Sequence, residues 1–247
     1  GGLAKVERRL DPDRPLELAI ESAIARVDLP TGFTGEALKE AEAYGERIDP
    51  REARGRVDLR ELPLVTIDGD DARDFDDAVY AEKVGKGFRV VVAIADVSHY
   101  VRPGTALDAE ARARGTSVYF PTRVLPMLPT ALSDHLCSLE PEVDRLCMVA
   151  DMQVSASGQL GDSKFYPAVM RSHARLTYTR AHAALFEGRP EARRPLGALL
   201  KHLEPLVEVY RALLKARNRR GALDFDSAEP KFEFDAEDRV RAVVFHA

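Results

Sequence analysis

Six aspartates stand within the ten positions 68 to 77, at Asp68, Asp70, Asp71, Asp74, Asp76 and Asp77, inside the segment TIDGDDARDFDDAVY (66–80). Carboxylates this close raise one another's pKa and oppose folding unless a cation neutralises them. Hard divalent ions do this best. Mg²⁺ in particular binds through a few carboxylates and keeps positions open for water and substrate phosphate. The chemistry indicated is a metal-assisted reaction at a phosphate.

Other readings of the run fit less well. A charge run is ordinarily a solvated loop, yet here Phe75 interrupts it and strand-like sequence follows it directly. A calcium loop needs its sharp-turn glycine where Arg73 stands. A phosphatase-like Asp-x-Asp pair at Asp74 and Asp76 wants an apolar strand immediately before it, and the apolar residues end before Asp68. The best fit has Asp68, Asp74, Asp76 and Asp77 converging on one or two Mg²⁺ ions, with Mn²⁺ as a substitute. Two ions about 4 Å apart would serve an in-line phosphodiester displacement. Asp70 and Asp71 lie on the outer loop and read as solvated, and Arg73 reads as a counter-ion, with a phosphate contact as the alternative.

The elements that must position these carboxylates can be read around them. Leu64–Ile67 is a short apolar strand that delivers Asp68. Ala78–Val84 and Phe88–Val97 read as a β-hairpin turning at Gly85-Lys86-Gly87. Counting from that turn sets Asp96 across from Asp76 and Asp77, as a seventh carboxylate at the cluster. A second hairpin, 146–155 with 161–172, turns at Ser157-Gly158, and Ser117–Phe120 is a further strand. Helices are expected after Thr34, over Thr105–Arg114, at about 177–187 and at about 191–220, with closing strands near 231–235 and 240–245. Residues 1–30 alternate charged and apolar character and read as one or two strands; 46–61 read as a connector. The fold class is α+β, a mixed sheet built from hairpins with flanking helices.

Composition narrows the function classes. The 247 residues are 45% apolar and 31% charged, ordinary for a globular protein. A net charge of −5 argues against holding nucleic acid by charge alone, although basic residues gather at Arg171–Arg180 and Lys215–Arg220. Cys137 and Cys147 have no CxxC spacing, so neither a zinc site nor a disulfide framework is indicated. No apolar run reaches membrane-span length, and no charged-then-apolar leader follows Gly1. The expectation is a cytoplasmic, reduced protein with no membrane partner. His99 and His135 read as structural or surface groups, and Ser98 and Ser133 lack the histidine pairing of a nucleophile.

TIDGDDARDFDDAV, then VVVAIADVSHYV, RGTSVYFPTRVLPMLP and LSDHLCSLEPEVDRLCMVADM, in this order, resemble the catalytic (RNB) domain of the ribonuclease II family over residues about 50–235. The resemblance implies a processive, Mg²⁺-dependent exoribonuclease that hydrolyses RNA from its 3′ end and releases nucleoside 5′-monophosphates. It places the four motif aspartates on Asp68, Asp74, Asp76 and Asp77, with Asp76 the least replaceable. It also implies an aromatic clamp on the terminal bases of single-stranded RNA at Tyr119 and Phe225. Read without it, Tyr119 alternates with Val118 and Phe120 as a core residue would, whereas Phe225 between Asp224 and Asp226 is an odd place for a buried ring.

The family pattern extends past this chain. A later half of the catalytic domain, carrying a glutamate and an arginine at the phosphates, has no counterpart here, nor does an S1-type RNA-binding domain. Residues 1–30 resemble the tail of a preceding cold-shock-like OB domain, 31–61 a connector with one helix, and 62–247 the N-terminal part of the RNB domain. The resemblance therefore implies that the remaining parts act as partners in cis and that the isolated chain has weak or no activity. The alternative is a catalytically incomplete RNA-binding or assembly module.

Overall fold

The computed structural model describes residues 9–70, 72–223, 229–235 and 239–246. They form two compact units. The larger comprises Thr34–Glu110 and Leu128–Leu223; the smaller comprises the described residues of Gly1–Phe33, Ala111–Met127 and Asp224–Ala247.

In the larger unit, Thr34 caps α2 (Gly35–Glu42) by accepting from the Ala37 amide. Its sheet contains β1 (Val57–Leu59), β2 (Val65–Asp68), β3 (Asp77–Val84), β4 (Gly87–Ala95), β7 (Asp144–Val154), β8 (Leu160–Arg171) and β9 (Ala174–Thr177). The order is β1-β8-β7-β4-β3-β2-β9. Pairing is antiparallel from β8 to β2, with the short edge strands β1 and β9 added in parallel. Both hairpins expected from the sequence are present. Gly85, at φ 59°, supplies the left-handed turn between β3 and β4. Only Ser172 and His173 separate β8 from β9. The three Cα steps from Arg171 to Ala174 span at most roughly 11 Å, yet β9 pairs β2 at the far end of the order, so the sheet must curl until its edges approach.

Short helix α3 (Val97–Tyr100) follows β4, α4 (Ala106–Arg114) begins after Thr105, and Ala131–Leu136 is one π-helical stretch. Helix α5 (Tyr178–Leu185) is followed by α6 (Pro190–Arg193), a 3₁₀ stretch Arg194–Leu199 and α7 (Leu200–Arg219). The single helix expected over 191–220 is therefore broken. Pro195 and Gly197, the latter at φ 49°, account for the break. Along α7, Leu203 joins a core with Val65, Leu176 and Ala184. Val209 joins another with Ala81, Phe88, Val90 and Val154. The helix thus backs the strands that carry the acidic run.

In the smaller unit, α1 (Pro15–Arg26) replaces the strands expected over residues 1–30. Pro at the first helical turn and the spacing Leu16, Ile20, Ile24 are helical signals that the charged residues between them disguised. That face packs against Leu125, Val118 and Phe120 of the hairpin β5 (Val118–Tyr119) and β6 (Val124–Leu125) with its flank. Strands β10 (Glu229–Phe234) and β11 (Val240–His246) pair antiparallel. No helix of the described residues is long and apolar enough to cross a membrane.

Candidate active site

Asp68 is the last residue of β2, in register with Thr177 of β9. The chain leaves the sheet at Gly69 and returns at Asp77, the first residue of β3, which pairs with Ile94. Just before that return, the Asp76 carbonyl accepts from the Ala95 amide at 2.9 Å. Both ends of the acidic loop are therefore sheet-bound.

Its middle is held by Phe75, which is buried between Asp74 and Asp76. The Phe75 amide donates to Ser138 Oγ at 3.1 Å, and Ser138 Oγ donates to the Arg73 carbonyl at 2.8 Å. The Leu139 amide donates to the Phe75 carbonyl at 2.8 Å. From β9, Arg175 Nη2 donates to the carbonyls of Asp70 at 2.8 Å and Gly69 at 3.1 Å. The same guanidinium lies 5.1 Å from the Phe75 ring centre. Thr179 Oγ1 donates to Asp70 Oδ2 at 3.2 Å, so the outer-loop Asp70 is exposed but tethered.

The four motif aspartates share one electrostatic neighbourhood. Burial, and then the charges of Asp77, Asp74 and Asp76, push the Asp68 carboxyl above the ordinary range, with Arg175 pulling the other way. Burial, then Asp74 and Asp77, likewise raise Asp76. The cation felt by Asp68 is thus Arg175, on β9, whereas the expected counter-ion Arg73 is exposed.

Asp68 Oδ2 is buried without a hydrogen-bond partner among the described residues. An orphaned carboxylate oxygen amid three more carboxylates suits a hard cation better than another protein group. Among the described residues, no group of three or more His, Cys, Asp or Glu side chains is gathered closely enough to hold a metal ion. The donor chemistry fits Mg²⁺, which commonly keeps several waters and takes further oxygens from substrate phosphate.

Asp96 is a correction. The register pairs Asp77 with Ile94, so Asp96 lies beyond the aspartates rather than across from them. Its side chain is 5% exposed, with Oδ2 2.7 Å from Arg56 Nη2 and Oδ1 accepting from Ser98 Oγ at 2.7 Å. Burial pushes this carboxyl up, but the Ser98 and Arg56 contacts outweigh it and leave it below the usual range. Asp96 is a structural ion-pair partner. His99, with Nε2 2.9 Å from Glu52 Oε1, extends the same network, and His135 is exposed.

Tyr119 is not a core residue: it lies on β5 in the smaller unit and is 66% exposed. Phe225 lies outside the described residues. Two residues that sequence reasoning missed are Ser138 and Arg175. The basic cluster at 171–180 held a signal for Arg175; Ser138 lies within the motif LSDHLCSLEPEVDRLCMVADM, but its residue type and spacing marked no role for it.

Residues 56–246 match the family model for the RNB domain, and the chain belongs to that family. Within it, the chain is similar to Ribonuclease R of Escherichia coli (strain K12), at 51% identity over 242 residues that cover 98% of this chain and 30% of that protein. Its fold matches Mycoplasma genitalium RNase R, solved in complex with ribose-methylated single-stranded RNA. The TM-score is 0.85 at 28% identity, over 95% of this chain and 36% of that one. Yeast Ssd1, a pseudonuclease, shares the fold alone, with a TM-score of 0.56 at 15% identity over 69% of this chain and 20% of that one. The chain spans about a third of the length of the curated relatives it matches.

Proposed function

We propose that this chain carries the metal-binding aspartates of a 3′-to-5′ hydrolytic exoribonuclease, acting processively on single-stranded RNA and releasing nucleoside 5′-monophosphates. The observation that carries the reading is the state of Asp68. It is a partly buried carboxylate with one orphaned oxygen, in the joint field of Asp74, Asp76 and Asp77, within a chain half-identical to Ribonuclease R.

Asp68, Asp74, Asp76 and Asp77 would hold Mg²⁺, or Mn²⁺ in its place. When bound, the ion supplies Lewis-acid stabilisation of the phosphate and a water of lowered pKa. The residues do the rest. The sheet fixes Asp68 and Asp77, and buried Phe75 sets Asp74 and Asp76 on either side of itself. With such a water as the nucleophile, hydrolysis would proceed without an enzyme-linked intermediate. Tyr119 and Phe225 would stack on terminal bases, worth roughly 1–3 kcal/mol per base and tolerant of sequence, as a degradative enzyme needs. The rest of the catalytic domain and the OB- and S1-type modules complete the RNA channel in cis, in the cytoplasm.

Ssd1 shows that this fold also serves a pseudonuclease, so the residues and not the fold must decide. The test reads product identity, which even slow turnover reveals. Single-stranded RNA labelled throughout its length and incubated with Mg²⁺ should pass from full length to a short 5′ remnant with few intermediates and release the label as nucleoside 5′-monophosphates. The products should vanish in Asp76→Asn, where losing several kcal/mol of charge stabilisation means on the order of 10³-fold or more. Internal cleavage, 3′-phosphate products or activity untouched by Asp76→Asn would overturn the reading.

A further inference from the structure

We propose that Ser138 and Arg175 are positioning residues that hold the acidic loop in the shape that gathers Asp68, Asp74, Asp76 and Asp77; the inference rests on reading those aspartates as metal ligands. Mutual repulsion among the carboxylates drives the loop to spread. Between its two sheet-bound ends, something must hold the loop closed.

Ser138 does this at one point. It is fully buried, and its hydroxyl is used by the loop backbone on both sides of Asp74: it accepts from the Phe75 amide at 3.1 Å and donates to the Arg73 carbonyl at 2.8 Å. Ser138 is itself fixed, because Arg145, 2% exposed, donates through Nε to the Ser138 carbonyl at 2.8 Å. Arg175 does it at the other point. Its strand position is set by pairing with Thr66, and its guanidinium reaches the carbonyls of Gly69 and Asp70, the two residues that follow Asp68. That guanidinium also brings a positive charge to Asp68. The two contacts bracket the ligand positions from opposite ends of the loop, and neither residue is a carboxylate or a ligand candidate. Groups that orient ligands from behind in this way typically change metal affinity by about 10–100-fold when removed.

The test uses the full 247-residue chain with Ser138→Ala, and with Arg175→Lys, which keeps the charge and loses the planar fork. Mn²⁺ affinity is measured by calorimetry and amide hydrogen exchange is followed by residue. Each variant should melt cooperatively and bind Mn²⁺ about 10–100-fold more weakly. Exchange should quicken over residues 72–77 while the amides of the β3–β4 hairpin keep their protection. Unchanged affinity, or exchange that quickens equally through the sheet, would assign the two residues a general folding role and overturn the proposal. Should Ser138→Ala fail to fold, Arg175→Lys, at a half-buried position, decides the matter. Should the unmodified chain bind no Mn²⁺, the metal reading fails by itself. The exchange pattern then still decides whether the pair holds the loop.

Discussion

Asp68 shows how far a single carboxylate reports on the site. Its pKa is raised, first by burial and then by Asp77, Asp74 and Asp76, so the folded state takes up its proton more readily than the unfolded chain. Without divalent ions, this group's contribution is neutral below the ordinary carboxylate pKa and turns unfavourable as pH rises through the raised value. Asp68→Asn should therefore stabilise the metal-free chain near neutral pH, by less than about 1 kcal/mol after solvent screening, and the gain should fade below about pH 4. Thermal melts of both proteins across pH in a chelator check this; a gain that persists at low pH would show packing instead of charge. Asp96 behaves oppositely, since its pKa is lowered and its contribution is lost as pH falls through that depressed value. Arg56→Met strands a carboxylate that is 5% exposed and should cost about 3–5 kcal/mol in urea unfolding. The acidic run was legible because its members are neighbours in sequence. Ser138 and Arg175 were not, because they reach the loop from 63 and 105 residues away.

Among the elements, those with strong local punctuation were readable and those without it were not. Both long hairpins carry apolar, β-branched runs around glycine-containing turns, and α2 carries its Thr34 cap. Helix α1 was mistaken for strand because Glu17, Glu21 and Arg26 broke an apolar row whose true spacing is four. Strand β1 was missed because three residues at a sheet edge have too little pattern, their place being set by parallel pairing with β8. Asp96 was misplaced because a register count in which the backbone leaves the strand carries no side-chain contact to correct it. The second hairpin's turn depends on Gly158, at φ 79°, where an added Cβ would lie 2.2 Å from the Ala212 carbonyl oxygen on α7. Gly158→Ala should destabilise the chain by about 1–3 kcal/mol from overpacking, with about 1–2 kcal/mol more from the left-handed backbone. Chemical denaturation would show it, and an unchanged midpoint would mean that the turn can move away from α7.

At the scale of the whole molecule, the curled sheet does for the aspartates what no local pattern could. It sets the end of β2 beside β9, and so beside Arg175, while β3 returns the far end of the loop to the same sheet. Membership of the RNB family and the match to RNase R follow from this architecture together with the sequence. The same fold in a pseudonuclease means that the fold by itself does not establish an activity. The most direct measurement is calorimetric titration of Mg²⁺ and Mn²⁺ into the unmodified chain and its Asp76→Asn variant. The account predicts binding to the first and its loss, or at least about a tenfold weakening, in the second. Equal binding by both, or none by either, would contradict the assignment of Asp68, Asp74, Asp76 and Asp77 as a metal site.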